Sequence, residues 1–352
     1  MLRFALLFAL VLATTSAQAQ VEAWRSLNDE ATKLWHLGRY ADAATAARKA
    51  LEFAETRLRP DSPPVAGSLN RLADSLRMMG DYAAAEPLLQ RALEIRERRL
   101  GASHALTGQT LSSLALLRAD QGRYAEAEAL FKRALDVREE ALGADHEMVA
   151  LSENGLAALY RAQGRYPEAE ALLKEVLRKL EAVRGAEHPS VALALNNLAR
   201  LYSQQKNFAA AEPLYARALA IREKALGAKN PRVAESLVGL ASIRLEQARY
   251  EESEELYKRA IAIIDDSLER EHPNMAQALS GLAGLYLRDN DPDSAEALWT
   301  KALQVREKAY GRDHPLVAET LEDLAAVYGK LGRKEKSAVT AERAARIRAS
   351  SR

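Results

Sequence analysis

A 42-residue step runs through eight consecutive units of this chain without one insertion or deletion, and it constrains the fold more than any other feature. Aligned on the tyrosine of Gly38-Arg39-Tyr40, the equivalent positions are Tyr40, Tyr82, Tyr124, Tyr166, Phe208, Tyr250, Pro292 and Lys334. Nine residues earlier stands alanine in every unit: Ala31, Ala73, Ala115, Ala157, Ala199, Ala241, Ala283 and Ala325. Three residues after the aromatic come Ala43, Ala85, Ala127, Ala169, Ala211, Ser253, Ala295 and Ser337. A fixed period of this length marks a repeat array, whose units bury their apolar faces only by stacking. The 352 residues are therefore read as one array rather than two or three globular domains. Its repeats are 20–61, 62–103, 104–145, 146–187, 188–229, 230–271, 272–313 and 314–352.

Each unit reads as two helices. In the second repeat Ala66, Leu69, Leu72, Ala73 and Leu76 form an apolar stripe at helical spacing. A second stripe follows in Ala85, Leu88, Leu89, Ala92, Leu93 and Ile95. Glycine marks the turn inside a unit, as at Gly80 and Gly122, and closes the second helix, as at Gly101 and Gly143, where a left-handed cap is expected. Proline opens many of the next helices, as at Pro63 and Pro189, where its missing N–H costs nothing. The invariant small residues let paired helices approach closely, and a large side chain there would overpack the contact.

Small residues at these two spacings with an aromatic between them resemble the tetratricopeptide repeat. The 42-residue period and phrases such as Leu195–Gly227, LNNLARLYSQQKNFAAAEPLYARALAIREKALG, resemble its kinesin-light-chain subtype. An ordinary tetratricopeptide unit has roughly 34 residues, and the additional residues lengthen both helices by about one turn. The resemblance covers residues 20–352. It implies an all-α, right-handed α-solenoid of about eight helix-turn-helix repeats with the first helices lining a concave groove. The first and last repeats depart most from the pattern, as expected of polar caps. The seventh departs at Asn290-Asp291-Pro292.

Charge is balanced at 50 basic against 49 acidic residues, so no strong field points to nucleic acid or an anionic membrane. The absence of cysteine excludes disulfides, thiol chemistry and cysteine-ligated zinc. The N-terminal MLRFALLFALVLATTSAQAQ has Arg3, an apolar run over residues 4–13, and the small-x-small triplet Ala17-Gln18-Ala19. This pattern predicts a signal peptide, residues 1–19, cleaved after Ala19. The apolar run is well short of the roughly 20 residues that span a bilayer. The expectation is an exported protein, periplasmic or secreted, with no integral membrane segment after cleavage; an uncleaved anchor is the alternative. Arginine outnumbers lysine 36 to 14, a bias associated with GC-rich bacterial genomes.

Catalytic motifs find no foothold. His104, His146, His188, His272 and His314 share one repeat position. Packed helices lie about 8–10 Å apart, so equivalent histidines cannot meet one ion at roughly 2.0–2.1 Å each. They are expected at the starts of helices, where Ser62 and Asn230 fill the same slot as capping residues. His146–Ala150 begins like a zinc-protease helix but lacks its second histidine, and no phosphate-binding or nucleophile loop occurs. The tyrosine series is read as inter-helix packing. The chain is thus expected to be non-catalytic, with no cofactor and no metal.

The informative positions are residues 67, 70, 74 and 77 and their equivalents, which share one face of the first helix. Four of the nine asparagines fall at the second position: Asn28, Asn70, Asn154 and Asn196, with Asn197 beside the last. An amide donates and accepts together and suits the backbone of an extended peptide. Arg77, Arg161 and Arg200 lie on or beside this face and can grip carboxylates. The alternative is that the amides bond neighbouring helices. The third repeat is nearly bare here (Gln109, Ser112, Leu116, Ala119), and later repeats carry Glu235, Glu319 and Glu322. The candidate groove is therefore Asn70, Arg77, Asn154, Arg161, Asn196, Asn197 and Arg200, and its ligand a protein or peptide with acidic residues. The expected function is an exported interaction scaffold. A cell-envelope assembly or enzyme-accessory factor in one stoichiometric complex is the alternative.

Overall fold

The computed structural model describes residues 2–267 and 271–350. Sixteen helices and no strand occur among the described residues. They divide into two compact units, Met1–Val149 and Ala150–Arg352. The first contains α1 (Leu2–His36), α2 (Tyr40–Arg57), α3 (Pro63–Met78), α4 (Tyr82–Leu100), α5 (Ala105–Asp120) and α6 (Tyr124–Leu142). The division falls inside α7 (Glu147–Ala162). The second unit continues with α8 (Tyr166–Arg184), α9 (Pro189–Gln204), α10 (Phe208–Leu226), α11 (Pro231–Glu246), α12 (Tyr250–Asp266), α13 (Pro273–Arg288), α14 (Pro292–Tyr310), α15 (Pro315–Lys330) and α16 (Lys334–Ser350). Each unit is a stack of helix pairs, the all-α solenoid arrangement. α1 runs as one helix from Leu2 past the expected cleavage point to His36. The apolar run of the expected signal peptide lies outside the residues whose side chains are described.

The hinge inside each pair turns on one left-handed residue. Gly80 takes φ 80° and Gly122 φ 73°; at the same slot Lys206, Ala248 and Asn290 take φ 58°, 60° and 62°. Asparagine tolerates this region but lysine and alanine are strained in it, so the hinges at Lys206 and Ala248 are formed against local preference. The glycines that end the second helices differ from the expected left-handed cap. Gly143 takes φ 85° and ψ 150°, and Gly227 φ 87° and ψ 148°. Positive φ with extended ψ is open essentially to glycine alone.

Five histidines start odd-numbered helices as the sequence suggested, each accepting at Nδ1 from the backbone N–H two residues on. The distances are 3.1 Å for His104, His146, His272 and His314 and 3.2 Å for His188. Asn230 does the same through Oδ1 at 3.0 Å. Ser62, expected to cap likewise, makes no such side-chain bond.

The invariant alanines of both series are buried in the pair contacts; Ala73, Ala85, Ala199 and Ala211 are wholly inaccessible. Where serine replaces alanine, its hydroxyl is satisfied across the pair. Ser253 Oγ donates to the Ala241 carbonyl and Ser337 Oγ to the Ala325 carbonyl, both at 2.8 Å. A further tie joins consecutive repeats. Arg96, Arg138, Arg222 and Arg306 are buried at one slot near the end of the second helix. Each donates through Nη1 to the backbone carbonyl ten residues on, at Leu106, Met148, Arg232 and Leu316. Three add a hydroxyl, at Thr110, Ser236 and Thr320. The guanidinium thus satisfies backbone acceptors in the first turn of the next helix while its stem fills the seam.

Candidate functional site

The seven groove candidates separate into two groups. In the first unit Asn70 is 2% exposed. Its Nδ2 donates to Asp74 Oδ2 at 3.0 Å and to Ser113 Oγ at 2.9 Å, tying α3 to α5. Arg77 pairs with Asp120 at 2.5 Å with its side chain mostly covered. In the second unit Asn196 is 3% exposed. Its amide is best oriented with oxygen accepting from Arg222 Nη1 at 2.7 Å and nitrogen donating to Ser236 Oγ at 3.2 Å. Asn70, Arg77 and Asn196 therefore differ from the groove role expected of them. Their donors bond their own or neighbouring helices, the bonding that the sequence left open as the alternative, and Asn70 Oδ1 is left without a partner.

The other four come together in the second unit. Asn154 Nδ2 donates to the Ala150 carbonyl at 2.8 Å, which turns its Oδ1 to accept from Asn197 Nδ2 at 2.9 Å. These linked amides border a cavity of about 190 Å³ that Arg161 and Arg200 also line. Its floor is Gly155, Ala157, Ala158 and Leu173. Small residues at the packing positions thus create the space into which the polar groups reach. Among the described residues neither guanidinium pairs with a carboxylate, although Arg200 lies near the Tyr215 hydroxyl. Burial, and then the charge of Arg200, hold Arg161 below the usual arginine range. A half-buried cation beside an exposed one of the same sign forms a site for an anion. One turn before the amides, on the same face, Leu151 and Leu193 are 50% and 38% exposed. The surface therefore offers an apolar ledge, an amide pair and a cationic cavity in succession.

The buried arginines at residue 96 and its equivalents were not anticipated as functional. Their signal was present in the recurring phrases IRERRLG, VREEALG, IREKALG and VREKAYG at Ile95, Val137, Ile221 and Val305. No cluster of three or more His, Asp or Glu side chains able to hold a metal occurs among the described residues. None of the described helices is long and apolar enough to cross a membrane.

The tetratricopeptide repeat pattern matches residues 25–98, 64–140, 106–182, 148–224, 190–266, 232–298 and 274–350. No match is found among curated proteins. Among solved structures, the chain is similar to BtubC (BKLC) from P. vanneervenii at 23% identity, covering 65% of this chain and 90% of that one, with a TM-score of 0.51. It is similar to a kinesin light chain with nearly identical TPR-like repeats from Podosopora anserina, at 26% identity over 57% of this chain and 94% of that one, TM-score 0.46. A Rap protein solved in complex with Competence and Sporulation Factor matches over 94% of this chain and the whole of that one, at 15% identity and a TM-score of 0.61.

Proposed function

Because this chain belongs to the tetratricopeptide-repeat family, with repeats of the kinesin-light-chain type, we propose that it is a non-catalytic interaction scaffold. It captures an extended segment of a partner protein across α7 and α9. The observation that carries this reading is the pair Arg161 and Arg200, unneutralised by any described carboxylate, beside the Asn154–Asn197 amides. The segment it fits places an apolar side chain on Leu151 and Leu193 and a carboxylate on the two guanidiniums. Its backbone exchanges hydrogen bonds with the amides. Capture of Competence and Sporulation Factor by the Rap relative is compatible with such a role for this fold.

We further propose that the scaffold acts outside the cytoplasm, on the strength of the N-terminal pattern ending at Ala19. Crosslinking in cells followed by capture of the chain tests the binding reading. Arg161→Gln with Arg200→Gln removes both charges and should abolish capture while the helical circular dichroism stays unchanged. Arg178→Gln, at a side chain 67% exposed on α8, should leave capture intact. Equal capture by all three proteins would refute the assignment. N-terminal sequencing of the protein from the expressing cell tests export, which predicts a mature chain starting at Gln20.

A further inference from the structure

A second cavity, of about 360 Å³, lies wholly within the first unit, between α1, α3 and α5. Its apolar wall is Val21, Trp24, Pro63 and Leu106. Trp24 is held in place: its Nε1 donates to Ser68 Oγ at 2.8 Å. Its ring edge lies over Gly67, where an added Cβ would stand 3.3 Å from the indole. The opposite wall carries charges of both signs, with Arg25, Arg71 and Arg96 against Asp74.

Four polar atoms of the lining residues are buried without a hydrogen-bond partner: Asn28 Oδ1, Asn70 Oδ1, Arg71 Nε and Arg96 Nε. The amide of Asn70 cannot turn to relieve this, because its nitrogen is fixed by Asp74 and Ser113. Buried polar atoms are almost always paired, so two acceptors and two donors left over around one cavity mark it as built for a ligand.

The ligand chemistry follows from what is unmatched. A simple anion satisfies the arginines and leaves the two carbonyl oxygens and Asp74 facing it. A simple cation does the reverse. A compact molecule carrying an ammonium and a carboxylate answers both, and the volume is at the small end of ligand cavities. We infer that this cavity binds a free α-amino acid. Its ammonium donates to Asn28 and Asn70 beside Asp74, its carboxylate takes the guanidiniums of Arg25 and Arg71, and its side chain lies against Trp24, Pro63 and Leu106. The site is separate from the α7–α9 groove and does not depend on it.

Isothermal titration of the purified chain with each of the standard amino acids at millimolar concentration tests this. At least one should bind saturably with one-to-one stoichiometry. Asp74→Asn and Arg25→Gln should each weaken that binding by about tenfold or more. Arg25 is exposed, so its variant separates loss of binding from loss of folding. The N-acetyl derivative, lacking the ammonium, and the corresponding amine, lacking the carboxylate, should not bind. Arg161→Gln with Arg200→Gln should bind as the unaltered chain does. The inference is overturned if no amino acid binds, if either derivative binds as well as its parent, or if both cavity variants bind normally.

Discussion

One repeat carries an ion pair where the others carry hydrocarbon, and exchanging it gives a sharp test of the packing. Leu69 with Ile95, Leu195 with Ile221, Leu237 with Ile263 and Leu321 with Ile347 occupy equivalent slots on paired helices, each pair within one apolar cluster. In the fourth repeat the same slots hold Glu153 and Lys179, bonded at 2.7 Å. Glu153 is 3% exposed and its Oε2 has no partner. A buried pair repays its desolvation only when all its lone pairs are satisfied, which this one does not achieve. Lys179→Ile alone strands the carboxylate and is expected to cost about 3–5 kcal/mol, while Glu153→Leu alone removes the ammonium's buried carboxylate partner and should also destabilise. The double variant restores the combination used by its neighbours and should be neutral or more stable than the parent by about 1–4 kcal/mol. Stacked repeats need not melt in one step, so amide hydrogen exchange in α7 and α8 should accompany urea unfolding. A double variant no more stable than the worse single variant would show that the two side chains are not coupled. Singles that leave stability unchanged would show that the site is wetter than its burial implies.

Four other outcomes follow from the same geometry. Ala248→Gly should stabilise the chain by about 0.5–1 kcal/mol, since relief of left-handed strain exceeds the added chain entropy; slower amide exchange around that hinge would register it. Gly143→Asn should destabilise by about 1–3 kcal/mol in a thermal melt, because asparagine tolerates a left-handed turn but not positive φ with ψ near 150°. His314 is pushed down to about 4 by burial and then by Arg306. The unfolded chain therefore binds the proton first, and the cap's contribution is complete above about pH 6.5 and lost as pH falls toward 4. Burial and then Glu319 raise Asp323 on α15 to about 6, whose contribution is lost as pH rises, so overall melting mixes the two. His314→Asn, which copies the Asn230 cap, should remove the acid loss at α15 when exchange is followed from pH 7 to 4. Ala157→Arg places a charged chain where 1% of the residue is exposed and should cost several kcal/mol by circular dichroism melting, with the fourth repeat opening first.

The fold was legible because period and packing are the same fact in a solenoid. Ala73 and Ala85 recur because two helix backbones cross there, and His104 recurs because a helix begins after it. Details that depend on ψ were not legible. A glycine such as Gly143 looks alike in sequence whether it caps left-handed or extended. The candidate site was half legible. Helical spacing correctly put residues 70, 154 and 196 at one register, but register does not decide whether a side chain turns to solvent or into the seam. Asn197, one residue further round the helix, faces the cavity that Asn196 does not line. Glu153 in a leucine slot and Lys179 in an isoleucine slot were visible as exceptions, yet only their contact shows that each explains the other.

Asn154 and Asn196 differ in what the second helix of their repeat sets beside them. In the fifth repeat Arg222 reaches inward and the oxygen of Asn196 accepts from it, so that amide is consumed in the core. In the fourth repeat the arginine slot holds Leu180, which is 5% exposed and packs with Val176 and Leu195 instead. No guanidinium competes for Asn154, so its oxygen is available at the surface to Asn197 and to whatever lies in the cavity. Variation in a scaffolding position thus shapes the binding face of the helix beside it. In the second repeat the arginine slot is filled by Arg96, yet it donates to Leu106 and Thr110 and leaves Asn70 Oδ1 unclaimed, so an arginine in this slot consumes the amide only where it reaches it, as Arg222 does.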